Sequence, residues 1–413
     1  MIKSKAIIIG GGASGTLAAI IAKDLGGEIA IIEGENRITK KLLITGNGRC
    51  NISNINIQPP YINYHSKNNA FFKSVLNQFS VNETIDLFRI LGLPLISLEE
   101  GRLYPQSLQA SSVVDTLLIN IEERNIPVYL NSKVINISKK DDLFLIETSN
   151  ENNRFFKAEK ILIACGGKCN PQTGSDGSIY SIMQELGHRI IKPLPAIVQL
   201  KLQYQHLKAI SGVRFNALAK VYVNKELKRS EFDEVLFTDY GISGPAILQC
   251  SRYAAIGLEE NKTVEISLDL FPKETINELR DLFEERFSLL GHRSIMQNLV
   301  GVINKKLIPI ILKDSGINDL HKSCDSLTYQ EKYKLIETLK DWRFKCIDTN
   351  GFNNAQVTIG GIDTTLVDEN TLESKIIKNL YFAGEVLDVD GDCGGYNLQW
   401  AWSSGYVAGK NLI

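Results

Sequence analysis

Ala6-Ile7-Ile8-Ile9-Gly10-Gly11-Gly12-Ala13-Ser14-Gly15, followed by Thr16 to Leu25 and then by Glu28-Ile29-Ala30-Ile31-Ile32-Glu33, is the stretch that decides the fold. An apolar run enters a glycine turn, a helical pattern follows, and a second apolar run ends on an acid. Parallel strands buried on both faces read as continuously hydrophobic, so this order predicts a βαβ unit. Gly10, Gly12 and Gly15 keep the GxGxxG spacing in the strand-to-helix context that gives the pattern its meaning. Gly10 suits the tight turn, Gly12 leaves room for a pyrophosphate, and Gly15 lets helix and strand approach. Ala13 and Ser14 stand where the helix presents free N–H groups and the positive end of its dipole to a phosphate. Glu33 ends the second strand, where a carboxylate accepts ribose hydroxyl protons and disfavours a 2′-phosphate. The pattern indicates a dinucleotide without separating FAD from NAD.

Working outward, Ala6 to Ala22 carries no charge and superficially imitates a short signal or membrane segment, but four glycines interrupt it. It is also shorter than the roughly 20 apolar residues of a spanning helix. A soluble, cytoplasmic protein with no membrane partner is expected. The 413 residues exceed one ordinary hydrophobic core, which predicts two or three domains. Lys plus Arg number 46 against 47 Asp plus Glu, and a net charge of -1 gives no global field for nucleic acid or an acidic membrane. Seven Cys are too few for a disulfide scaffold, and their odd number leaves at least one without an intrachain partner.

Helical spacing recurs within Ala70 to Leu91 and over Ser111 to Arg124, and short strands follow to Lys160–Ala164, which leads into Cys165-Gly166-Gly167. This excursion is expected to rejoin the first parallel sheet. From Ile191 the texture changes to alternating strands (Val198 to Leu202, Ala217 to Val223, Val264 to Leu270), then to a charged helical stretch. Leu380 to Ala383 is another apolar strand, with Gly384-Glu385 behind it and a helix from about Asn397 to Lys410. The expected architecture is α/β: a discontinuous Rossmann-like dinucleotide-binding domain (1–190 and 349–413) interrupted by a β-barrel-like domain (191–272 and 342–348), itself carrying a helical insertion (273–341).

Thr45-Gly46-Asn47-Gly48-Arg49-Cys50-Asn51 is a compact loop placed after the ribose-reading strand, and Lys41 just precedes it. Arg49 and Asn51 suit anionic or carbonyl acceptors, which places the loop near cofactor or substrate. The cysteines show no metal-ligand spacing and read as reduced structural residues. His65, His188, His206, His292 and His321 are dispersed without an HExxH pattern, and there is no P-loop or nucleophile elbow. Metal hydrolysis and NTP hydrolysis lack support.

Five segments taken together carry a family resemblance: Gly10 to Gly15, Thr45 to Asn51, Gly101-Arg102-Leu103-Tyr104-Pro105, Gly166 to Gly177, and Ala355 to Gly409. Most distinctive are Val357-Thr358-Ile359-Gly360-Gly361, Tyr381-Phe382-Ala383-Gly384-Glu385-Val386-Leu387-Asp388 and Gly394-Gly395-Tyr396-Asn397-Leu398-Gln399-Trp400-Ala401. The chain resembles the YhiN/BaiN-type, aminoacetone oxidase-like family of bacterial FAD-dependent oxidoreductases over nearly its whole length. The resemblance implies FAD as cofactor, a flavin domain interrupted by a β-barrel, and a helical insertion in the barrel. It further implies that Gly10, Gly12, Gly15 and Glu33 hold the ADP half, that Gly384 and Glu385 lie beside the pyrophosphate and ribityl chain, and that Asn397 and Leu398 offer backbone N–H groups to the flavin ring. Gly166 and Gly167 are counted with the cofactor loops, and Cys393 is given no nucleophilic role.

A flavin enzyme leaves the redox chemistry to its cofactor. With no second GxGxxG unit between Gly167 and Ala355, NADH or NADPH is expected as a transient ligand at the flavin face rather than in a domain of its own. The leading expectation is NAD(P)H-driven reduction of an activated carbon-carbon double bond in a small-molecule redox substrate, because part of the family resembles bile-acid pathway reductases. The alternatives are a small-amine oxidase using dioxygen and a non-enzymatic FAD-binding or RNA-associated scaffold, although no basic-aromatic motif marks a nucleic-acid partner.

Overall fold

The computed structural model describes all 413 residues and divides them into two compact units, Met1–Pro195 with Ala355–Ile413, and Ala196–Asn354. The first is built on a seven-stranded sheet. Its strands are β1 (Ile2–Ile9), β2 (Ile29–Ile32), β3 (Val128–Tyr129), β4 (Val134–Lys140), β5 (Leu143–Thr148), β6 (Phe155–Ile163) and β7 (Leu380–Phe382), in the order β3-β2-β1-β6-β5-β4 with β7 also on β6. The pairs β2–β1, β1–β6 and β6–β7 are parallel, whereas β5 and β4 extend the sheet antiparallel. β6 therefore changes neighbours along its length: Phe155 to Ala158 pair with β5, and Ile161 to Ile163 with β7. Ile7, Ile8 and Ile31 are fully buried, as continuous apolar strands between covering layers must be.

Two helices lean on this sheet, α1 (Ala13–Asp24) and α2 (Tyr396–Asn411). They approach closely because small residues face each other: a Cβ on Gly405 would lie 2.5 Å from Ser14 O, and one on Gly409 would lie 2.6 Å from Ala18 O. Trp400 and Trp402 fill the space around α2, and their indole N–H groups donate to Gly384 O and Ile52 O, both at 3.0 Å.

The second unit contains a closed six-stranded barrel in the order Leu200–Gln203, Gly241–Ser243, Glu226–Phe237, Arg214–Val223, Val264–Asp269 and Trp342–Thr349. Closure leaves no unpaired edge. Alternation in Arg214–Val223 buries Ala217, Ala219, Val221 and Val223, the period-two pattern of a barrel wall. The helices Ile276–Leu289, Ile308–Asp314 and Tyr329–Lys340 share one apolar core with the barrel, through Leu279, Ile311, Leu335 and Phe344. The fold is thus α/β, with a barrel inserted into a Rossmann-like scaffold. No helix is long and apolar enough to cross a membrane.

Candidate cofactor and active site

The carboxyl ends of β1, β2, β6 and β7 gather the sequence candidates at one edge of the first unit, where ligands bind in open α/β sheets. Gly10 has φ 104°, and a Cβ there would lie 2.5 Å from Ala164 O. Gly15 sits so close beneath it that a Cβ would come within 1.9 Å of Gly10 O. Gly12 differs: the nearest protein atom to its Cβ position is Ala164 O at 4.0 Å, so it faces open space. α1 begins there with no side-chain cap and no acid in its first turn. Its first N–H groups, those of Ala13 and Ser14 among them, have no partner within the helix.

Glu33 folds back beneath this turn. Its Oε2 accepts from Gly11 N and its Oε1 from Glu35 N, each at 2.8 Å. Burial raises its carboxyl above the ordinary value, against the lowering pull of those amides. A carboxylate offers about four lone-pair positions, so both oxygens can still receive a ribose hydroxyl. Over Glu33 lies the Thr173–Gly177 loop, with Gly174 3.6 Å from Glu33 Oε1 at its Cβ position. Burial alone would raise Asp176, but the Lys133 ammonium and the Ser178 donors outweigh it and hold the carboxyl below its usual value. Ser175 Oγ is buried without a partner and points at Gly166. This loop, whose role the motif left open, lies against Glu33 and Glu35.

Lys41 donates to Glu385 Oε2 at 2.8 Å, while Glu385 Oε1 accepts from Thr358 N and Oγ1 at 2.9 and 2.8 Å. Gly167 packs under Thr358, where a Cβ would lie 2.4 Å from Thr358 Oγ1. Gly384 N donates to Ser404 Oγ on α2, and a Cβ on Gly384 would touch Ser14 Oγ on α1. The returning turn is therefore wedged between the start of α1 and the middle of α2.

α2 repeats the α1 arrangement: Gly395 caps it without a side-chain bond, and its first turn has no acid. Asn397 and Leu398 stand in that turn. The Asn397 side chain is itself committed, accepting from Gly391 N at 2.8 Å and donating to Gly391 O and Asp392 O at 2.7 and 3.2 Å. Asn54 Nδ2 donates to Gly394 O, and Tyr64 Oη to Tyr396 O. In the Thr45–Asn51 loop, Gly46, Asn47 and Arg49 are exposed, Thr45 Oγ1 donates to Leu42 O, and Asn51 Oδ1 is buried without a partner, 3.0 Å from the Cβ position of Gly395. Cys50 is fully buried, its thiol pushed up to about 12 by desolvation, so only its main chain faces the loop. None of the seven cysteines forms a disulfide, and no group of His, Cys, Asp or Glu is arranged to hold a metal.

Sequence reasoning passed over Thr358 as an individual residue, the Tyr64–His65 ribbon and the carboxylates Asp388, Asp390 and Asp392. Asp388, Asp390 and Asp392 are 3%, 2% and 6% exposed in a five-residue span, and His65 Nε2 meets Asp392 Oδ1 at 3.0 Å. Alternate acids before a glycine turn were the available signal; their partners come from elsewhere in the chain.

The family model for the HI0933-like protein Rossmann domain matches residues 4–411. A 3-dehydro-bile acid delta(4,6)-reductase from Clostridium scindens is 37% identical over 405 residues, covering 98% of this chain and 97% of the relative. A ribosomal RNA dihydrouridine synthase from Escherichia coli strain K12 is 31% identical over 411 residues, covering 99% and 98%. Among solved structures, a 3-ketosteroid delta1-dehydrogenase from Sterolibacterium denitrificans aligns over 100% of this chain and 99% of its own, with a TM-score of 0.51 and 10% identity, a likeness of fold.

Proposed function

The chain belongs to the HI0933-like family of FAD-dependent oxidoreductases, and we propose that within it this protein reduces a carbon-carbon double bond conjugated to a carbonyl, with NADH or NADPH as the electron source. The observation that carries the reading is a pair of helices packed side by side, Gly405 against Ser14, whose starts are both glycine-capped and both lack side-chain caps and first-turn acids. Two such positive termini suit a ligand with two electron-rich parts, a pyrophosphate and the pyrimidine side of a flavin. The residues present fit FAD: Gly12 leaves an open approach, Glu33 retains acceptor capacity, and Asn51 has an orphaned buried oxygen.

In this reading Gly10 to Gly15 hold the pyrophosphate, Glu33 the ribose, Gly166 and Gly167 with Ser175 the adenosine side, and Lys41 with Glu385 the turn between the two helices. Thr45 to Asn51 close over the cofactor beside the first turn of α2, where Asn397 and Leu398 supply main-chain N–H groups. FAD, when bound, supplies hydride transfer at its N5 atom. The α2 terminus stabilises negative charge as it develops on the ring.

The names of the two relatives share one chemistry. A 4,6-unsaturated 3-oxo steroid and the uracil ring of uridine each present an alkene conjugated to a carbonyl, so hydride addition is favoured in both. That common feature supports the acceptor class more firmly than either substrate. The test is an anaerobic absorbance assay of the holoenzyme with NADH, NADPH and a small amine as donors. Donor-reduced enzyme is then offered cyclohex-2-enone, a 3-oxo-4,6-diene bile acid and a ribosomal RNA transcript. Bleaching by a nicotinamide and reoxidation by at least one conjugated acceptor is the expected result. Bleaching by the amine alone, with reoxidation only by dioxygen, would replace this reading with an oxidase.

A further inference from the structure

We infer that His65, fixed by Asp392 and Asn63, donates the proton that completes reduction of the conjugated double bond; this rests on the acceptor class proposed above. The ribbon Tyr64–His65 pairs antiparallel with Asp390–Gly391, in the register Asp390 with His65 and Gly391 with Tyr64. That pairing carries the imidazole to the turn that starts α2. His65 Nε2 lies 3.0 Å from Asp392 Oδ1, and Asn63 Nδ2 donates to Asp392 Oδ2 at 2.9 Å. Asp392 N donates to Asn63 O at 2.9 Å, and Asn397 Nδ2 to Asp392 O at 3.2 Å. Both carboxylate oxygens and both main-chain groups of Asp392 are thus engaged, so the carboxylate cannot swing, and it sets the orientation of the ring.

The Asp392 side chain is 5% exposed and that of His65 is 16% exposed, a buried orienting group behind a reachable ring. Two further carboxylates lie in the same span: Asp388 accepts from Lys67 N at 3.1 Å and from Ser66 Oγ at 3.5 Å, and Asp390 is the strand partner of His65. Burying an acid costs several kcal/mol unless its partners are well placed. The turn already has the Asn397, Asn54 and Tyr64 bonds, none of which requires an ionisable ring.

Several other proton carriers at this edge are held back by burial. Burial pushes the Cys165 thiol and the Tyr64 and Tyr180 hydroxyls well up, and Cys50 to about 12, so they hold their protons too firmly. The other histidine of this unit, His188, is buried against Phe382 with its Nε2 on Ser374 Oγ. In the step proposed, a hydride from the reduced flavin forms the new C–H bond at the carbon β to the carbonyl. The π pair moves to the α carbon, which forms its C–H bond with a proton given up by the His65 ring. The acceptor gains two electrons, the flavin loses two, and water returns a proton to the ring.

The experiment compares wild-type, His65→Gln and Asp392→Asn holoenzymes, each reduced anaerobically by NADH or NADPH and mixed with cyclohex-2-enone. FAD content is measured for each protein, and the expected result, per bound FAD, is flavin reduction within about twofold in all three. Reoxidation should slow about 100-fold or more in His65→Gln and about tenfold in Asp392→Asn, with partial rescue of His65→Gln by added imidazole. Reoxidation of His65→Gln at the wild-type rate would overturn the assignment. A second measurement needs no turnover: cyclohexanone, titrated into oxidised holoenzyme carrying ¹³C-labelled histidine, should shift the ring resonance that is missing in His65→Gln, and an unmoved resonance would also overturn it. Failure of the double-bond reading shows itself separately, as a wild-type enzyme that a nicotinamide reduces and cyclohex-2-enone never reoxidises; the labelled ring then still decides whether His65 faces a carbonyl ligand.

Discussion

The starts of α1 and α2 present similar faces to a ligand but are held in different ways. At α1 the constraints are main-chain sterics: Gly10 and Gly15 press on each other and on Ala164, and only Gly12 looks outward. At α2 the turn is fastened from afar, by Asn54, Asn63, Tyr64 and His65 on one side and by Asn397 on the other. Gly395 is forced there, with φ 100° and a Cβ position 2.3 Å from Ser53 O. One terminus is an autonomous motif. The other is an assembly.

The sharpest way to break this comparison is to change two glycines of the same turn. Gly15→Ala drives a methyl into a backbone oxygen, and overpacking against backbone costs about 3 kcal/mol or more, so loss of soluble protein or a clear fall in thermal stability is expected. At Gly12 an added Cβ meets no atom beyond its chain neighbours closer than 4.0 Å, on a backbone with φ -77° that the β-branched residue of Gly12→Val tolerates. Its thermal stability without cofactor should match wild type, while FAD per chain falls at least about tenfold, a loss of roughly 1.4 kcal/mol or more in binding. A folded Gly12→Val protein with full flavin content would remove the pyrophosphate from this turn.

Asn397→Ala tests the assembled terminus. It strips hydrogen bonds from Gly391 and Asp392, and leaving such groups unsatisfied costs about 1–3 kcal/mol. FAD affinity should fall about tenfold, with the βαβ core intact by circular dichroism; unchanged affinity would mean that the turn needs no side-chain support.

The smallest effect is expected at the Thr173–Gly177 loop. Asp176 is held below its ordinary 3.8, with burial opposed by Lys133 and Ser178, so its contribution is complete above that value and is lost as the pH falls through the lower folded-state value. The pair is half exposed, and Lys133→Met should therefore cost only about 0.2–1 kcal/mol at neutral pH. Denaturant titrations should show that difference shrinking below pH 3.8; a difference that persisted or grew on acidification would assign the cost to lost packing by the lysine stem.

The same contrast explains what could be read in advance. The βαβ unit, the glycine spacing and Glu33 lie within one short stretch and follow from periodicity and backbone sterics. The return of Leu380–Phe382 was legible as an apolar strand that could complete the first domain, whereas the opposition of Gly384 to Ser14 depends on neighbours from the far end of the chain and was not anticipated. The Asp392 network escaped even that, because nothing local to Asn63 or His65 marks them as partners of a distant acid. Asp176 shows the limit within a known motif: its loop was recognised, but its attachment to Lys133 and its place over Glu33 are tertiary facts.

The seating of Gly405 and Gly409 on Ser14 and Ala18 sets a timetable for biosynthesis. α1 leaves the ribosome early and must wait for α2 before its small-residue face is covered. The Ala196–Asn354 unit is continuous in sequence and can collapse meanwhile. Closing so long a loop costs entropy that grows only slowly with its length, but the contact cannot form before its second half exists. Flavin capture is consequently a late event, one that follows translation of α2 and reports that both ends of the first unit have met.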